Sequence, residues 1–140
     1  NKIKLMDTTL RDGEQTQGVS FTPPEKANIA KTLLKKLRVD RIEVTSARIS
    51  AGELGSVQNI TAWAAENGFL DCIEVLGFID QKRSVDWIKE SCCTVMNLLT
   101  KGSENHCKNQ LKKTLKEHIS DIRQTLKYAH TNQLDVNVYL

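Results

Sequence analysis

The stretch Asp7-Thr8-Thr9-Leu10-Arg11-Asp12-Gly13-Glu14-Gln15-Thr16-Gln17-Gly18-Val19-Ser20-Phe21 concentrates more chemistry than any other part of the chain. Asp12 offers a hard carboxylate oxygen of the kind divalent cations take as a ligand. Arg11 beside it carries a planar, permanently charged fork that matches a carboxylate through two parallel bonds. Gln15 adds a neutral donor and acceptor, and Thr8 and Thr9 add hydroxyls. Together these residue types suit a small acid held beside a metal ion. An ordinary polar loop, with Arg11 and Asp12 solvated or paired to neighbours, has the same composition.

What must position this stretch is legible on either side of it. Ile3-Lys4-Leu5-Met6 reads as a first strand. Thr22-Pro23-Pro24-Glu25 reads as a capped helix start, followed by an apolar stripe at Ile29, Leu33, Leu34 and Leu37. A second strand, Arg41-Ile42-Glu43-Val44, precedes another capping box at Ser50-Ala51-Gly52-Glu53 and a helix with Val57, Ile60 and Ala64 inward. The third pair is strand Cys72 to Leu76 and a helix carrying Val85, Trp87 and Ile88. A fourth strand, Thr94 to Leu99, leads to a long helix opened by Thr114 with Glu117. Its expected inner face is Leu115, Ile119, Ile122, Leu126 and Ala129. Val136 to Leu140 is a further strand.

About five strands alternating with about four helices make a βαβ series, hence a parallel sheet with helices packed outside. In such α/β folds ligands gather at the carboxyl ends of the strands, where Asp7 to Phe21 begins. The order fits a doubly wound sheet and a barrel alike. An apolar strand at the end of the sequence would leave an unpaired edge, so the expectation is part of a larger fold.

Composition narrows the class. The 140 residues are 39% hydrophobic and 26% charged with a formal charge of +3, which fits one soluble unit with a real core. The lysines at 35, 36, 101, 108, 112, 113 and 116 are dispersed over expected helix surfaces, which argues for solvated faces and against a nucleic-acid partner. Four cysteines without a Cys-x-x-Cys pair read as reduced thiols. No apolar run reaches the ~18 residues of a membrane span, so no membrane partner and a cytoplasmic location are expected.

The string from Asp7 to Gly13 resembles the D-x-T-L-R-D-G signature of the DRE-TIM metallolyase superfamily. Gly13-Glu14-Gln15-Thr16 with Gly18-Val19-Ser20-Phe21 resembles its condensing branch, the isopropylmalate, homocitrate and citramalate synthases, more than its lyases and aldolases. Thr45-Ser46-Ala47-Arg48-Ile49-Ser50 and the segments Leu76 to Asp80, Ser84 to Ile88 and Asn97 to Ser103 are similar to a citramalate synthase group. The resemblance implies a (β/α)8 TIM barrel, with residues 1–140 forming the N-terminal part of its single catalytic domain, truncated before the later strands.

It also implies an acyltransferase that condenses acetyl-CoA with a 2-oxo acid through a Claisen-type step. Asp12 would be a ligand of a divalent metal (Zn, Mn or Mg), with Arg11 and Gln15 on the substrate and Arg11 and Asp12 as catalytic residues. Leu76, Leu99 and Tyr139 would wall the substrate side-chain pocket, favouring pyruvate and citramalate in isoleucine biosynthesis. The alternative is 2-oxoisovalerate and isopropylmalate in leucine biosynthesis. The family's His-x-His ligand pair does not occur here, and His106, His118 and His130 read as surface or interhelix residues. Glu43, Glu74, Thr8, Thr9 and Ser46 are further candidates at the barrel mouth. The family's acid/base glutamate is expected just beyond Leu140, and the full-length enzyme as a homodimer. The 140 residues alone are expected to be inactive, and a barrel fragment serving only as a binding or assembly module is the reading from another class.

Overall fold

The structure, a computed structural model, describes residues 3–140. Five strands form one sheet: β1 Met6–Asp7, β2 Arg41–Ser46, β3 Ile73–Gly77, β4 Val95–Leu99 and β5 Asp135–Tyr139. Every pairing is parallel and the spatial order is β1-β2-β3-β4-β5. A doubly wound sheet reverses direction at a switch point. This one never does, so of the two topologies open to the sequence the barrel is the one adopted.

Helices α1 Pro23–Thr32, α2 Ala51–Asn67, α3 Arg83–Glu90, α4 Glu104–Asn109 and α5 Leu115–Thr131 connect the strands. The main core lies between them and one face of the sheet. Ile42, Val44, Ile73, Val75, Met96 and Leu98 are at most 1% exposed and belong to the same apolar cluster as Ala30, Ile60, Ile88 and Ala129 of the helices. At about 1.5–3 kcal/mol for each large side chain, this layer is the main source of stability. Because strand side chains alternate, Glu43, Glu74, Asn97 and Asn137 fall on the opposite face. That face is polar, and it faces what would be the barrel interior.

The helix starts follow their caps. Thr22 N–H and Thr114 N–H donate to Glu25 and Glu117, each at 2.7 Å. These bonds hold both carboxyls below the usual carboxylate value. Ser50 Oγ accepts the Glu53 N–H at 3.1 Å. Gly68, at φ +76, ends α2 in the left-handed conformation a glycine takes without strain.

Three expectations are corrected. Pairing in the first strand begins only at Met6, and Ile3 and Leu5 stay exposed. The turn Leu33–Leu37 that ends α1 is wound as a π-helix, which shifts the helical phase and turns Leu37 to solvent at 67% exposure. In α5 Ala129 is buried and Ile122 and Leu126 pack against the core as expected, with His118 and Thr125 buried beside them, but Leu115 and Ile119 are exposed rather than inward. His118, expected at the surface or between helices, is buried, and its Nε2 accepts the Lys101 N–H at 3.1 Å. The short α4, capped by Ser103, was not expected from the sequence.

Candidate active site

The loop after β1 is drawn tight by its own backbone. The Thr8 carbonyl accepts N–H groups from Arg11, Asp12 and Gly13 at 2.8–3.2 Å, and Asp7 holds Thr9 through its amide and its hydroxyl. Leu10, 1% exposed, anchors the turn in the core. Arg11 is thereby presented at the carboxyl end of the sheet, over β2.

The inner face of the sheet grips this arginine. Glu43, fully buried, accepts Arg11 Nε at 2.5 Å through one oxygen and Asn97 Nδ2 at 2.6 Å through the other. The Asn97 amide also donates to Glu74 Oε2 at 2.9 Å, and Glu74 Oε1 accepts Arg41 Nη1 at 3.1 Å. Asn137 Nδ2 closes the ladder by donating to Asn97 Oδ1 at 2.9 Å. Two buried carboxylates are thus each matched to one arginine and bridged by one amide. Buried charges need such pairing, since an isolated one is strongly disfavoured. The sequence marked Glu43 and Glu74 as candidates; it carried no signal for Asn97, whose role depends on the β3–β4 register.

Arg11 Nη1 donates to Asp12 Oδ1 at 2.8 Å. The guanidinium is held at two nitrogens, and Nη2 makes no hydrogen bond among the described residues. Asp12 and Gln15 are exposed, and among the described residues the second Asp12 oxygen and the Gln15 side-chain amide are unengaged. Arg11, Gln15 and Ser46 line one cleft of about 320 Å³ between this loop and the end of β2. Ser46 is 5% exposed and its hydroxyl has no partner. Thr45 lines the same cleft, whereas Thr8 and Thr9 do not.

The other expected residues lie along the inner face. Leu76 is level with Asn97 in the register, and one layer higher Leu99 pairs directly with Tyr139. Leu76 is buried and Leu99 is 38% exposed, opening onto a cleft with Phe78, Ile79 and Leu111. The Tyr139 hydroxyl donates to Met6 Sδ at 3.3 Å, bridging the two outer strands. Burial, then the negative charges of Glu43 and Glu74, push this phenol up to about 12.

A metal finds only a partial site here. Among the described residues no group of three or more histidines, cysteines, aspartates or glutamates could hold a cation. Asp12 offers one donor oxygen, which is a ligand but not a site. His118 is committed to Lys101, and His106 and His130 are exposed on α4 and α5.

A sequentially wound parallel sheet with an arginine and an aspartate presented at its carboxyl end is the N-terminal part of a (β/α)8 barrel. The chain belongs to the HMGL-like family, whose model matches residues 2–140. It is 33% identical to a putative (R)-citramalate synthase of Methanopyrus kandleri over 99% of this chain and 26% of that protein. It is 36% identical to a 2-isopropylmalate synthase of Dictyoglomus turgidum, over 96% of this chain and 26% of that one. The crystal structure of HMG-CoA lyase from Brucella melitensis superposes with a TM-score of 0.67 at 18% identity, covering 98% of this chain and 48% of the lyase. The chain thus spans about a quarter of the length of the curated relatives it matches.

Proposed function

We propose that this chain is the N-terminal part of a single barrel catalytic domain in an acyltransferase that condenses acetyl-CoA with a small 2-oxo acid. The observation that carries the reading is the state of Arg11. Its guanidinium is fixed by Glu43 and Asp12 while Nη2 is left without a partner among the described residues. An arginine clamped in this way is preorganised for an external carboxylate, and little ordering remains to be done on binding. Gln15 and the unpartnered Ser46 hydroxyl add donors in the same cleft. A divalent cation such as Zn, Mn or Mg, when bound, supplies a Lewis acid for the oxyanion that forms at the former keto carbon. Asp12 is this chain's contribution to holding it.

The substrate we favour is pyruvate, giving citramalate on the route to isoleucine. Leu99 beside Tyr139, with Leu76 a layer below, makes a bulky wall that suits a methyl group better than an isopropyl group. The competing reading is 2-oxoisovalerate and isopropylmalate, supported by the equally good match to an isopropylmalate synthase. A cytoplasmic homodimer is the assembly we propose for the full-length enzyme.

The test is thiol release from acetyl-CoA by the full-length protein, with pyruvate and 2-oxoisovalerate supplied separately. Pyruvate is expected to win by about tenfold or more in kcat/KM, the discrimination one or two methylenes allow. Preference for 2-oxoisovalerate transfers the assignment to the rival, and the absence of thiol release with any 2-oxo acid removes the condensing reading.

A further inference from the structure

Lys26 lies in the first turns of α1, yet it is only 3% exposed. Its ammonium meets three carboxylate oxygens: Glu14 Oε2 at 2.5 Å, Glu53 Oε1 at 2.7 Å and Glu53 Oε2 at 2.9 Å. Glu14 belongs to the turn Gly13–Gln15, and Glu53 to the first turn of α2. The remaining Glu14 oxygen accepts the Phe21 N–H at 3.0 Å, which closes the loop on itself. Glu53 stands where a capping box would direct its side chain to the Ser50 N–H. Here the carboxylate turns to Lys26 instead.

One buried ammonium with two carboxylates is a poor way to glue helices together, since apolar side chains of similar volume often serve stability as well or better. What an apolar trio does not supply is direction. Glu14 and Glu53 both line the cleft shared by Arg11, Gln15 and Ser46. Glu14 is also the immediate neighbour of Gln15 on a single helical turn. We propose that Lys26 is a positioning residue for this cleft: it fixes the Gly13–Gln15 turn against α1 and α2 so that Gln15 and Arg11 face the ligand. Only the kinetic readout of this proposal rests on the condensing function proposed above.

The test uses the full-length protein and two readouts. Lys26→Met alone leaves two carboxylates without their cation and is expected to lower stability. The neutral triple variant Lys26→Met, Glu14→Gln, Glu53→Gln removes the charge problem and is expected to regain it. In that variant the amides of residues 13–21 should still exchange hydrogen about tenfold faster than wild type, with strand amides unchanged. KM for the 2-oxo acid should stay about tenfold raised, because a misplaced turn is not repaired by neutrality. Lys26→Arg, which keeps charge and donors, should hold KM within about twofold of wild type. Loop exchange and KM that recover together with stability in the triple variant would falsify the positioning role, as would Lys26→Arg behaving like Lys26→Met. Should wild type be inert with every 2-oxo acid, the condensing reading falls and the exchange rates alone decide for or against Lys26.

Discussion

Replacing Glu43 by glutamine probes the buried pair that holds Arg11 and, on the function proposed above, its grip on the substrate. The side chain keeps its shape, so no cavity opens, but one carboxylate oxygen becomes an NH2 group. Both oxygens are already in use, one for Arg11 Nε at 2.5 Å and the other for Asn97 Nδ2 at 2.6 Å. Whichever way the amide is turned, a donor faces a donor. A hydrogen bond to a charged group contributes about 1.5–3 kcal/mol, and removing one partner of a buried ion pair costs about 3–5 kcal/mol. Arg11 is 18% exposed and can draw in water, which points to the lower end, about 3 kcal/mol. The arginine freed from Glu43 also loses its preset direction, so KM for the 2-oxo acid should rise by about tenfold or more. Denaturant unfolding and steady-state kinetics of the full-length protein measure the two effects. Stability within about 0.5 kcal/mol of wild type together with an unchanged KM would refute the claim that this buried carboxylate orients Arg11.

Two further perturbations address the inner face. Leu99→Ala trims the wall beside Tyr139 and should shift the ratio of kcat/KM toward 2-oxoisovalerate by about tenfold, read from competing assays with the two acids. An unchanged ratio removes Leu99 from the pocket. The Tyr139 phenol, pushed up to about 12 from an ordinary 10 by burial and by Glu43 and Glu74, binds its proton more tightly in the folded state. Its contribution is fully present below pH 10 and is lost as pH climbs from 10 toward 12, because the unfolded chain releases the proton first. Tyr139→Phe should therefore flatten the alkaline loss of stability in that window, followed by pH-dependent unfolding; an identical alkaline profile contradicts the half-buried, anion-facing placement.

How much of this was legible in the sequence depends on how local each signal is. The loop chemistry of Arg11, Asp12 and Gln15 is written in consecutive residues, and the caps at Thr22, Ser50 and Thr114 need only a few residues on. The strand pattern predicted a parallel α/β sheet, while the choice of a barrel needed the observed strand order. The π turn at Leu33–Leu37 is invisible to a count at α-helical spacing, which places Leu37 inward. In α5 the apolar pattern places Ile122, Leu126 and Ala129 correctly, but nothing local marks Leu115 and Ile119 as exposed or His118 as buried against the Lys101 N–H. Asn97 and Lys26 were missed for a related reason. An amide on a strand and a lysine on a helix carry no mark of burial; their partners lie 54, 23 and 27 residues away and meet them only when the fold forms.

The geometry that escaped the sequence is also what ties the proposed substrate-binding arginine to the body of the sheet. One asparagine amide serves both buried glutamates, and each glutamate holds a different arginine. Arg11 reaches toward the cleft at the carboxyl ends of the strands, whereas Arg41 begins β2 at the opposite end. A ligand carboxylate that draws Arg11 away from Glu43 would leave that buried oxygen short of a donor, at a cost comparable to the bond gained. The ligand is therefore better served by Nη2, which is uncommitted, than by Nε, which is not. Binding then adds a contact without dismantling one, and the ladder from Arg11 through Asn97 to Arg41 stays intact while the site fills.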